Sequence, residues 1–174
     1  MPDDVERDEV LEDWLPLNDD DLDKLNRLEH SRRRRLYRQW KNISAWHNRI
    51  VSEGDSWFLH PNEWEMWDYM TWHPYRYLIY SLGGAGHTLE QMLVQDEFVA
   101  AIIRERAELF MLSGGGNDLV NAFPTLLNQW TGDIDLVVNK VNLANLTTRV
   151  SEMIEEVFRR VQQASPGLPM IFHG

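Results

Sequence analysis

Between residues 18 and 46 apolar side chains recur at Leu22, Leu25, Leu28, Leu36, Tyr37 and Trp40, a helical spacing that predicts one buried stripe on a helix ending near Trp46. Asp19, Asp20 and Asp21 suit its electropositive start, and the basic run Arg32 to Arg35 suits its later turns. A solvated helix face accounts for that run, with an anion or nucleic-acid contact as the sharper alternative. Beyond it, short apolar runs alternate with amphipathic stretches, the rhythm of β-α-β units. Arg49 to Glu53 (RIVSE) reads as a strand. Pro61 and the following NEWEMWDYM read as a helix with proline in its first turn. Tyr75 to Leu82 is a second strand, and Thr88 to Arg106 is helical with a break near Gln95. Ala107 to Ser113 is a third strand, and a short helix is expected near Phe123 to Trp130. A long helix from about Leu143 to Gln163 carries Val150, Met153, Ile154, Val157, Phe158 and Val161. The turn Ser165-Pro166-Gly167 then releases a fourth strand over Leu168 to Phe172.

Strands joined by helical crossovers imply a parallel sheet with helices on both faces, since parallel neighbours need such crossovers and these are right-handed. The expected fold class is therefore α/β, with three layers. No helix follows the fourth strand to cover it, so the domain is expected to be cut short there, or completed by a partner chain or by self-association.

Composition changes this picture in four places. The net charge of -11 is concentrated in residues 1 to 29, whose balance is -9, leaving the remainder near neutral at -2. The acidity thus belongs to a leader, MPDDVERDEVLEDWLPL, expected to be mobile or docked on a partner, and it gives no reason to expect nucleic acid as a ligand. Cysteine is absent, which removes disulfides, thiolate metal sites and a Cys nucleophile. No run of apolar residues reaches membrane-spanning length, and the acidic start is the reverse of a signal peptide, so a cytoplasmic location is expected. Eight tryptophans are many for this length, and most are expected in core or lid packing.

Ligands of such sheets bind at the carboxyl ends of the strands. The residues there are Gly54-Asp55-Ser56, Gly83 to His87, Gly114 to Asp118, and His173-Gly174. The six histidines never fall at HxH or HExxH spacing, so no metal is expected. GGAGHT does not supply GxGxxG, and LSGGGND lacks the Lys of a P-loop, so no cofactor is expected either. Nor is this the GxSxG elbow of α/β-hydrolases.

In order and spacing, GDSWF at 54 to 58, AGHTLEQM at 85 to 92 and LSGGGND at 112 to 118 resemble the first three blocks of the SGNH hydrolase superfamily, the GDSL esterases and lipases. The resemblance covers about residues 49 to 174. It implies a flavodoxin-like fold in a domain spanning 48 to 174, after an acidic leader (1 to 17) and a helical segment (18 to 47). It further implies Ser56 as nucleophile, with the backbone N–H groups of Ser56 and Gly86 and the side-chain amide of Asn117 as oxyanion donors. Asp118 would fix its loop. The implied reaction is hydrolysis of a carboxylic ester, of a small molecule, carbohydrate or lipid. The family's DxxH block, which carries its His and Asp, is missing. His60, His87 and His173 are conceivable substitutes as base. The alternatives are a non-catalytic binding or interaction module, or one half of a split enzyme.

Overall fold

A computed structural model describes residues 19–43, 48–58, 66–71 and 77–174. The leader, His60 and the first part of the helix expected after Pro61 lie outside them. Four strands, β1 (Asn48–Glu53), β2 (Tyr77–Ser81), β3 (Leu109–Ser113) and β4 (Met170–His173), form one parallel sheet in the order β2-β1-β3-β4. This is the flavodoxin-like winding: the chain leaves β1 to one side for β2, then crosses back over β1 to build β3 and β4. Right-handed crossovers must then place the first connection on one face and the later two on the other.

The helices are arranged accordingly. On one face Met70, from α2 (Met66–Thr71), packs with Ile50, Phe58, Ile79 and Met111. On the other, α3 (Leu89–Gln95), α4 (Glu97–Glu105) and α6 (Lys140–Ala164) bury Leu89, Met92, Phe98, Ile102, Val157 and Val161 against Val51, Phe110 and Leu112. Alternation along each strand divides these sets, because successive side chains point to opposite faces. Each fully buried side chain of this size contributes about 1.5–3 kcal/mol. The expected break after Gln95 is real: Asp96 adopts the left-handed conformation (φ 52°), and its N–H bonds Met92 O to close α3. Thr88 opens that helix with a reciprocal capping box to Gln91.

Three expectations need correction. The short helix is α5 (Gly116–Leu126), which springs directly from the loop after β3, and residues 127–130 are not helical. Pro124 sits in its last turns, where little helix remains for it to disrupt. Second, α1 (Asp19–Ile43), whose expected end near Trp46 lies outside the described residues, does not bury a leucine stripe. Leu28 is 55% exposed and Trp40 40%, while Asn26, Glu29, Arg33 and Tyr37 are the buried positions. Third, Arg32 to Arg35 is not simply a solvated face. Arg32 and Arg33 pair with Glu29 and with Asp68, and Arg33 also donates to Phe58 O at 2.8 Å. Burial pushes the Glu29 carboxyl up, but the two guanidiniums outweigh it and hold the group below its usual range.

Among the described residues β4 is an edge strand, with Ile171 and Phe172 substantially exposed. No described helix is long and apolar enough to cross a membrane.

Candidate active site

The order β2-β1-β3-β4 has its switch point between β1 and β3, where connections depart in opposite directions and leave a crevice at the strands' carboxyl ends. The chain puts its glycines there. The loops after β1, β2 and β3 approach so closely that a Cβ on Gly83 would lie 3.0 Å from Gly54 O, and one on Gly54 would lie 3.0 Å from Ser113. Gly84 N–H bonds Gly54 O at 2.9 Å, tying the second loop to the first.

Ser56 lies in the turn after β1, partly buried. Asp55, beside it, is 2% exposed and acts as the bracket of this turn. Its Oδ1 accepts from Ser113 Oγ at 2.7 Å and from Trp57 N–H at 3.2 Å, and Phe58 N–H bonds its backbone oxygen. A Cβ on Gly116 would stand 3.7 Å from Asp55 Oδ2, so the first turn of α5 abuts the Ser56 turn. Gly115, at φ 102°, is the N-cap of that helix, whose unpaired N–H groups bring positive potential to the crevice.

Gly86 occupies the third position of a turn closed by His87 N–H to Gly84 O (3.0 Å), with φ 83°. That value favours glycine, and a Cβ there would also press on Leu22 of α1 at 2.9 Å. Asn117, in the first turn of α5, donates through Nδ2 to His87 O at 2.9 Å, so it joins the third loop to the second. Asp118 accepts from Leu89 N–H at 3.0 Å and fixes the start of α3. Ser56, Gly86 and Asn117 thus stand on three adjoining loops, each linked through its immediate chain neighbours to the next.

The histidines behave differently from one another. The His87 ring lies flat over Gly84, where a Cβ would meet its Nε2 at 2.5 Å; its Nδ1 is buried without a partner, and burial with the nearby His30 lowers its pKa. It is a packed, neutral imidazole. His173, at the end of β4, packs its ring 5.1 Å from that of Trp57. Trp57 is itself 66% exposed, and Trp40 and Trp130 are also exposed, so these three are not core residues. Among the described residues no imidazole or carboxylate is hydrogen-bonded to Ser56 Oγ.

Two features were not singled out from the sequence. Glu53, the last residue of β1, is 1% exposed and accepts from Gly54 N–H at 3.1 Å; burial pushes its carboxyl up to about 8. And α1 reaches the loops with polar groups: Asn26 bonds both backbone groups of Ala85, His30 Nε2 contacts Gly83 O at 2.6 Å, and Arg33 holds Phe58 O. Burial lowers the His30 pKa against the pull of that carbonyl, consistent with a neutral ring donating its Nε2–H. The signal was present as Leu22, Asn26, His30, Arg33 and Tyr37, spaced three or four apart, but a polar stripe is invisible to a search for apolar period.

No protein-family model and no curated protein matches the chain. Among solved structures, one described as a "putative GDSL-like lipase" from Parabacteroides merdae superposes with a TM-score of 0.45 at 11% identity, over 75% of this chain. The chain spans 61% of that protein's length. A likeness of that size bears on neither activity nor substrate.

Proposed function

We propose that this chain is an SGNH-type serine hydrolase domain acting on a carboxylic ester. The observation that carries this reading is the meeting, at the switch point of the sheet, of the three loops that hold GDSWF, AGHTLEQM and LSGGGND. Ser56 Oγ attacks the ester carbonyl and the carbonyl oxygen gains charge. The backbone N–H groups of Ser56 and Gly86 and the Asn117 amide donate to that oxygen, and neutral donors already in place cost no reorganisation as charge develops. The ester C–O bond breaks, the proton lost by Ser56 Oγ ends on the departing oxygen so that an alcohol leaves, and water then hydrolyses the Ser56 acyl ester to the free acid and restores the hydroxyl.

An alkyl fluorophosphonate tests this directly, because it reacts with an activated serine and not with an ordinary one. Labelling at Ser56 that disappears in Ser56→Ala supports the reading, and Asn117→Ala should lower the labelling rate by roughly 100-fold. A folded chain that takes up no label would overturn it. That outcome favours a second reading, a binding module whose donor-lined hollow holds a carboxylate or sugar, to which the lack of a base on Ser56 among the described residues also points.

A further inference from the structure

We infer that Asn26, on α1, is a positioning residue that orients and polarises the Gly86 N–H for its role as oxyanion donor; the inference rests on the proposed hydrolase reading. The argument begins with the turn Gly84-Ala85-Gly86-His87. Its closing bond from His87 N–H to Gly84 O and the φ of 83° at Gly86 mark a type II turn. A type I turn shares the same ends and the same closing bond. The two differ by reversal of the middle peptide, here the one joining Ala85 to Gly86. Because that peptide is planar and trans, its C=O and N–H point in opposite directions, so reversal would turn the Gly86 N–H to the other side of the loop. Glycine at the third position allows either state. Something outside the turn must choose.

Asn26 makes that choice. It is 5% exposed, and its Nδ2 donates to Ala85 O at 3.0 Å while its Oδ1 accepts from Ala85 N–H at 3.0 Å. With Ala85 O directed at α1, the N–H of the same peptide faces away from it. Donation to the carbonyl also draws electron density across the amide and strengthens its N–H as a donor, as hydrogen bonds in series polarise one another. The neighbouring contacts of α1 hold the frame: His30 on Gly83 O, Arg33 on Phe58 O, and Leu22 against Gly86. One helix face therefore braces both the loop of Ser56 and the loop of Gly86.

The discriminating variant is Asn26→Asp, which keeps the size and the acceptor for Ala85 N–H but sets a carboxylate oxygen against Ala85 O. Two quantities are measured beside the thermal midpoint: the rate constant for fluorophosphonate labelling of Ser56, and the amide 15N resonance of Gly86, which reports donation to the carbonyl of its own peptide. The expected result is a labelling rate lowered about 10-fold or more, a fraction of the cost of removing a donor outright. The Gly86 resonance shifts, and the amides of Phe110 and Val157 stay in place. Asn26→Leu, which removes both bonds, should show the same pattern. If Asn26→Asp folds with an unmoved Gly86 resonance, or labels at the wild-type rate, the inference is overturned and the hydrolase reading survives. If wild-type Ser56 takes no label, the hydrolase reading fails instead, and the Gly86 resonance alone decides whether Asn26 sets the peptide.

Discussion

Two helical seams press on the same face of this sheet, and they are built from opposite materials. Where α4 and α6 meet β1 and β3, the contact is Phe98, Ile102, Val157 and Val161 against Val51, Phe110 and Leu112, all at 1% exposure or less. Where α1 meets the loops above β1 and β2, it is Asn26, His30 and Arg33 on backbone oxygens, with Glu29 holding Arg33 from within the helix. The first kind of contact is strong and non-directional, and it tolerates sliding. The second contributes little net energy per bond but fixes atoms along chosen directions, and it is costly when a partner is lost. The apolar seam holds the sheet together, whereas the polar seam aims the parts of the crevice.

Substitutions can break or sharpen this contrast. In the apolar seam Phe98→Ala should cost about 4 kcal/mol, read from chemical denaturation, with site labelling kept for whatever fraction remains folded. In the polar seam Arg33→Ala should cost about 2 kcal/mol, because it removes one of the two guanidiniums on the buried Glu29 carboxylate and a charged donor from Phe58 O. Here labelling should fall even in the folded fraction. A loss of stability with no effect on labelling would erase the distinction between the seams.

Glu53 stands at the border, a carboxyl pointing from the end of β1 into the helix-packed face. Its folded-state value of about 8 lies above the usual 4.5, so the folded protein holds a proton that the unfolded chain releases once pH passes about 4.5. The contribution of this one group to stability should therefore be largest at or below that pH, fall as pH rises toward 8, and level off above it. The slope from this one group is at most about 1.4 kcal/mol per pH unit. Glu53→Gln should flatten that stretch of the profile, and an unchanged slope would show that the carboxyl is not held protonated. The smallest effect belongs to the exposed side of α1, where Leu28→Lys should change stability by no more than about 0.5 kcal/mol. If Leu28 mattered more than Arg33, α1 would be docked by its leucines after all.

That last contrast explains what could be read from residues alone. The strands, their parallel pairing and the α3–α4 break were legible because period-2 and period-3.6 apolar patterns report burial. The loops that form the crevice were legible as glycine clusters after strands. The face of α1 was misread, since its buried positions are polar and its leucines partly face water. The start of α5 was missed as well. Gly114-Gly115-Gly116 looks like loop, and no Ser, Thr, Asp or Asn caps the helix, which begins instead at a glycine in a left-handed conformation. Only spatial neighbours separated by 59 residues, such as Asn26 and Ala85, reveal the brace.

That separation bears on the order in which the molecule assembles. Asn26 waits for Ala85, Arg33 for Phe58, and Tyr37 for Glu105, so α1, which is made before each of these partners, is among the last described helices to be fixed. Pulsed amide exchange during refolding should then show α4 protected before α1, with the crevice completed in a late step. Chains caught before that step would hold a formed sheet and an unaimed site.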